Sequence, residues 1–170
     1  MKTIFLMRHA NTEPGRSDLA DENRGLTERG KNDAHLMGEW LAKQTPRPEA
    51  LLLSSSVRTG QTAKIVTKAL PTDLPTHALD SLYLAWASEL ADLIRRQDDM
   101  IDTVLIINHE PGLSTLARTL VASVENETYV NALDHFPTAA VAVLEFASEN
   151  WSELAPQSVH FKNFASPKNQ

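Results

Sequence analysis

The stretch Thr103-Val104-Leu105-Ile106-Ile107-Asn108-His109-Glu110-Pro111-Gly112 decides how the whole chain is read. Its first five residues are aliphatic or β-branched and too few for a helix, so they read as a buried strand. The run stops at a polar turn, and a helix is predicted from about Leu113 to Ala122. A fully apolar strand that gives way to a helix belongs in an α/β layer structure, where helices cover both faces of the sheet.

The same alternation recurs outward from that stretch. Thr3 to Met7 predicts a buried first strand ending at Arg8-His9, followed by a polar loop from Ala10 to Gly25. Thr27 is placed to cap a helix whose inner face carries Ala34, Met37 and Leu41, with Trp40 beside them; Pro46 and Pro48 close it. Ala50 to Leu53 predicts a second strand, Ser54-Ser55-Ser56 a serine-capped turn, and Arg58 to Leu70 a helix stopped by Pro71. Thr76 to Leu82 predicts a third strand, and Ser88 a cap for a helix buried through Leu90, Leu93 and Ile94. Ala139 to Phe146 and Ser158 to Phe164 complete the strands, the last at a sheet edge. The expected fold is a three-layer α/β/α sandwich with a mostly parallel central sheet, in one domain over residues 1–170.

Composition narrows the chemistry. A net charge of −6 is wrong for a general binder of nucleic acid or anionic membrane, which gains affinity from clustered Lys and Arg. The absence of cysteine removes disulfides, thiolate metal sites and any thiol nucleophile. The apolar run Ile4 to Met7 is too short for a signal sequence, and no stretch approaches the ~18 apolar residues of a membrane span, so a soluble, cytoplasmic protein is expected. No histidine pair has the spacing of a zinc protease, and carboxylates are not clustered.

The informative residues stand where strands stop. Arg8-His9, the serines leading to Arg58, and His109 each follow an apolar strand. Ligands of open α/β sheets bind outside the carboxyl ends of the strands, so neighbouring strands would bring two arginines and two histidines into one crevice. Guanidinium forks grip phosphate oxygens, a neutral imidazole can attack phosphorus, and a second, protonated imidazole would stabilise the developing charge.

Three segments carry a family resemblance. Arg8-His9-Ala10, Ser54-Ser55-Ser56-Val57-Arg58-Thr59-Gly60-Gln61-Thr62-Ala63 and Asn108-His109-Glu110-Pro111-Gly112 resemble, in order, the three motifs of the histidine phosphatase (phosphoglycerate mutase-like) superfamily. The short length and Arg24-Gly25-Leu26-Thr27-Glu28-Arg29-Gly30 are most similar to its SixA-like phosphohistidine phosphatases. The resemblance implies that His9 is the nucleophile, that Arg8 and Arg58 bind the phosphoryl oxygens, and that His109 shares in stabilising their charge. It also implies a two-step transfer through phosphohistidine with no metal or other cofactor.

The sequence departs from the larger members of the superfamily, which place a glutamate soon after the third strand to protonate the leaving group. Here Leu79-Asp80-Ser81-Leu82 has none, and the next glutamate is Glu89. Asp80 or Glu89 could substitute, and Asp21 is favoured by comparison with SixA-like chains. Arg24 either joins the phosphate cluster or anchors its loop, and Glu110 is either a helix N-terminal charge or a participant in the chemistry. His35, His77 and His160 read as structural, while His135 could reach the pocket rim.

A monomeric phosphatase acting on a phosphorylated protein, in particular a phosphohistidine domain, is the expected function. A small-molecule phosphomonoesterase of the same superfamily and a non-catalytic phosphate-binding module are the alternatives.

Overall fold

A computed structural model describes residues 1–169. Its strands are β1 (Lys2–Arg8), β2 (Ala50–Ser54), β3 (Thr76–Leu79), β4 (Thr103–Asn108), β5 (Val121–Val124), β6 (Val141–Phe146) and β7 (Val159–Ala165). Among the described residues they form one sheet in the order β3-β2-β4-β1-β6-β7-β5. Pairing is parallel from β3 through β1 and between β7 and β5; β6 runs antiparallel to both its neighbours. The helices are α1 (Glu28–Ala42), α2 (Val57–Lys68), α3 (Ala87–Arg95) and α4 (Gly112–Leu120).

Alternation along each strand divides the core in two. Phe5, Met7, Leu51, Leu53, Leu105 and Ile107 face one way and meet Met37 and Leu41 of α1 and Ala63 and Val66 of α2. Ile4, Leu6, Leu52, Val104 and Ile106 face the other way and meet Leu90 and Ile94 of α3 and Leu113 and Leu116 of α4. Helices on both faces explain why these strands are apolar throughout rather than alternating. The result is the three-layer α/β/α arrangement with a mostly parallel sheet.

This layering fixes where the crevice lies. β1 and β4 are adjacent, yet α1 follows β1 on one face and α4 follows β4 on the other. The chain therefore opens at their carboxyl ends, the usual place for a ligand in such a sheet. Arg8 pairs with Asn108 and Leu53 with Ile107, so Arg8, Ser54 and Asn108 end their strands at one level and His9 and His109 follow directly.

Several boundaries differ from expectation for local reasons. The helix predicted to Ala122 ends at Leu120, because Val121 turns extended and pairs with Val159. That pairing makes β5 the edge and puts β7 inside the sheet, rather than at the edge as the sequence suggested. Ser88 does not cap α3: the chain enters at Trp86, whose amide donates to the Glu89 carboxylate (2.7 Å). The third strand stops at Leu79 and winds into a short 3-10 turn over Asp80–Leu82. Among the described residues no helix is long and apolar enough to cross a membrane.

The loop after β1 is held down at the start of α1. Thr27 caps the helix by accepting from the Gly30 amide (3.0 Å), while its hydroxyl donates to Asn11 Oδ1 (2.7 Å) and its amide to Asn11 O (3.1 Å). A β-carbon on Gly30 would lie 2.0 Å from the Asn11 carbonyl oxygen, so only glycine permits this approach. Gly30→Ala is expected to destabilise the protein by about 1–3 kcal/mol in urea unfolding despite alanine's better helix propensity. A neutral or stabilising result would contradict this packing.

Candidate active site

The site grows from three strand ends. After β1, the His9 amide continues the sheet by donating to Asn108 O (3.1 Å), which seats residue 9 beside β4. Its ring Nδ1 lies 2.8 Å from Ala10 O. A carbonyl only accepts, so this bond places the ring proton on Nδ1 and leaves Nε2 as the lone-pair nitrogen. Arg8 donates to Phe136 O (2.8 Å) and meets His135 Nε2 at 3.2 Å, although His135 itself borders a separate hollow with Tyr129 and Phe164 and does not line the crevice. The Arg8 Nε is buried and has no partner among the described residues.

After β2, Ser56 caps α2 and delivers Arg58 in its first turn, almost wholly buried at 3% exposure. The residues after Arg58 tie α2 to its surroundings. Thr59 donates to Ser54 O, Thr62 Oγ1 accepts from the Ala10 amide, and Gln61 accepts from the Leu26 amide. The second motif thus holds both the strand end and the loop behind His9. After β4, His109 Nε2 meets Ser54 Oγ at 2.9 Å, and its ring centroid lies 5.2 Å from that of His9.

Arg8, His9, Arg58 and His109 line a crevice of about 440 Å³, together with Asn11, Thr12, Asp21, Arg24, Leu84, Glu110 and Thr138. His9 and His109 are both held neutral. Burial does most of this, bringing His9 down to about 4 against the opposing bond to Ala10, with Arg8, Arg58 and Arg24 adding to the fall. His109 falls to about 3 through burial, His9 and Arg58. An uncharged His9 is the form that can attack. An uncharged His109 is not the protonated stabiliser envisaged from sequence, but a bound dianion would draw a proton toward it by cancelling the guanidinium field.

Asp21 occupies the mouth as an ion. Its carboxylate accepts from the Tyr83 hydroxyl (2.6 Å), Arg58 (2.9 Å) and Arg24 (2.8 Å). The Tyr83 bond above all, then Arg58 and Arg24, brings it down to about 2. A carboxylate so engaged has no proton to give, which argues against the general-acid role favoured from sequence. Arg24, which also donates to Glu13 O (3.0 Å), anchors the loop while lining the crevice. Neither Asp80 nor Glu89 lines the crevice; Asp80 borders a neighbouring hollow with Glu22, Asn23, Ser55 and Tyr83. Among the described residues no group of three or more His, Asp or Glu is placed to hold a metal ion.

Sequence reasoning missed Tyr83 and Leu84. Tyr83 bonds Asp21, packs edge-on against His109 with centroids 5.6 Å apart, and lies 5.8 Å from the Arg58 guanidinium carbon. Both residues directly follow the stretch searched for the absent glutamate, which was the available signal.

With this geometry in view, similarity to known proteins becomes informative. The model of the histidine phosphatase superfamily (branch 1) matches residues 4–83, which include Arg8, His9 and Arg58. An uncharacterized protein of Mycobacterium tuberculosis is 31% identical over 164 residues, covering 95% of this chain and all of that one. The chain belongs to the histidine phosphatase superfamily.

Among solved structures, the protein histidine phosphatase SixA complexed with tungstate superposes with a TM-score of 0.79 at 25% identity, covering 98% of each chain. The α-ribazole phosphatase of Shigella flexneri shares the fold at a TM-score of 0.61 and 18% identity, covering 87% of this chain and 92% of that one. Family and neighbours make this protein a phosphatase of the SixA-like kind.

The neutral histidines give this histidine phosphatase a pH signature. Unfolded, each takes up a proton near its ordinary 6.5; folded, they resist until about 4 and about 3. The unfolded state therefore binds more protons between those limits, and stability falls as pH drops from about 6.5 toward 4. Calorimetry should show the melting temperature falling between pH 6.5 and 5, and falling less steeply in His109→Gln. Parallel profiles for the two proteins would contradict the assignment.

Proposed function

We propose that this phosphatase works through a phosphohistidine on His9 and that its preferred substrate is a phosphohistidine carried by another protein. The observation that carries the reading is the His9 ring. Its proton is committed to the Ala10 carbonyl, and its free Nε2 belongs to a crevice bearing three guanidinium groups. A neutral, oriented imidazole beside a concentration of positive charge is what attack on a phosphoryl dianion requires.

In the first step Nε2 attacks phosphorus as the bond to the leaving atom breaks, and Arg8 and Arg58 follow the charge on the transferring oxygens. Arg58 already donates both its terminal nitrogens to Asp21. Asp21 thus stands where an oxyanion would compete for the same fork, and it keeps Arg58 extended until one arrives. In the second step water attacks phosphorus, the Nε2–P bond breaks with its electron pair returning to Nε2, and phosphate departs. Tungstate in the SixA structure is a tetrahedral oxyanion of the same kind, which supports a phosphoryl site in this shared fold.

The rim supports a protein substrate. Leu84 lines the crevice, is 58% exposed, and holds a left-handed backbone (φ 53°) that a leucine adopts only under constraint. Trp86, two residues on, is 76% exposed. Large apolar side chains beside a polar pocket suit a partner that brings its own apolar surface. A labile P–N bond also tolerates a weak proton donor, in keeping with the missing glutamate.

The test is phosphate release without added metal, comparing a phosphohistidine protein with p-nitrophenyl phosphate. Release should favour the phosphoprotein, vanish in His9→Ala, and fall by about 10²-fold or more in Arg58→Ala. Good turnover of the ester alone would point to a small-molecule phosphomonoesterase. His9-independent release, or none, would refute the mechanism.

A further inference from the structure

Asp21 is a standing anion in a crevice that has to hold phosphoryl oxygens. It opens a short 3-10 turn (Asp21–Asn23) in the loop after β1, and its side chain is half exposed. A carboxylate there opposes the entry of any second anion, so its presence requires a reason.

Its hold on Arg58 takes two atoms. One terminal nitrogen of Arg58 donates to the Asp21 carbonyl (2.7 Å) and the other to carboxylate Oδ2 (2.9 Å). A guanidinium fork grips a bound oxyanion in the same paired manner, so Asp21 acts as a built-in ligand. Two further contacts stop it from swinging away into water. The Tyr83 hydroxyl reaches the same Oδ2 at 2.6 Å, and Arg24 reaches Oδ1 at 2.8 Å. Both tethers are themselves fixed, Tyr83 edge-on against His109 and Arg24 by its bond to Glu13 O.

This arrangement lets Asp21 yield Arg58 without leaving the mouth. When an oxyanion takes the guanidinium, the carboxylate keeps Tyr83 and Arg24. When the grip of that oxyanion loosens, the carboxylate is already in position to take Arg58 back. Substrate and product both carry the phosphoryl group, so both lose affinity to this competitor. A phosphoprotein also rests on Leu84 and Trp86 at the rim, whereas free phosphate has the crevice alone. The competition therefore matters most for the product.

We propose that Asp21 is a displaceable counter-ion that expels phosphate at the end of each turnover, held ready by Tyr83 and Arg24. The proposal rests on the phosphoryl site of the mechanism above. Two other roles for Asp21 make different predictions. If it only positioned Arg58, its loss would weaken oxyanion binding. If it were a general acid, its loss would show in the dependence on leaving group and not in phosphate affinity.

The test is Asp21→Asn, which removes the charge and keeps an oxygen for the Tyr83 hydroxyl. Titration calorimetry with inorganic phosphate should show binding tighter by about 10-fold or more. With the phosphoprotein, kcat and KM should fall together as release becomes slow. Asp21→Ser should tighten phosphate likewise, and Asp21→Glu, which retains the charge, should not. Unchanged or weaker phosphate binding in either charge-removing variant that folds would overturn the proposal. Failure of both to fold would make Asp21 a structural requirement and overturn it too. Failure of the reading beneath it looks different, since the wild type would then bind neither phosphate nor tungstate.

Discussion

Parallel pairing of β2, β4 and β1 in one register is the constraint on which everything else here depends. It sets Arg8 beside Asn108 and Leu53 beside Ile107, so three strands end together. His9, Ser54 and His109 then emerge within hydrogen-bonding or ring-contact distance of one another. A slip of one residue would turn each side chain to the opposite face and bury the polar groups in an apolar layer. The two cores prevent it, because Ile4 and Leu6 serve one helical layer while Phe5 and Met7 serve the other.

Holding that much positive charge at a sheet end has a cost, which the structure offsets in specific ways. Arg58 is buried but bonds both the carbonyl and the carboxylate of Asp21. Tyr83 and Arg24 share that carboxylate, so the loop after β1 supplies the counter-charge while the crevice is empty. The two imidazoles shed their protons rather than add to the field. Among the described residues five buried side-chain atoms lack a partner: the Nε of Arg8, the Nε of Arg58, Nδ1 of His109 and Oε1 of Glu110 belong to residues that line the crevice, and Oδ1 of Asn108 to the strand end beside them. Orphaned polar atoms gathered at one place are better explained by a ligand that completes them than by scattered packing defects.

Much of this was legible in the sequence because the strongest signals were local. Continuous apolar runs marked β1, β2 and β4, and the residues that stopped them formed the crevice. Thr27 and Ser56 cap their helices as their positions suggested. The failures were tertiary. β5 is four residues long and exists through its pairing with β7, which propensity alone does not reveal. Ser88 looked like a cap, but the Glu89 carboxylate took the role. Asp21 was favoured as the general acid, yet its three donors, which keep it ionised, come from positions 24, 58 and 83 and could not be read from spacing. The ambiguity at Glu110 had the same origin, since only the structure shows that one of its oxygens is unpartnered.

The central claim is that phosphorus becomes bonded to His9, and trapping the intermediate tests it most directly. Protein mixed with a phosphoryl donor, quenched in alkali within milliseconds and digested, would be mapped by mass spectrometry and phosphorus NMR. The account predicts a transient acid-labile phosphoramidate on the peptide containing His9, absent from His9→Ala. A phosphoryl group on any other residue, or steady turnover with no covalent intermediate at any quench time, would contradict it.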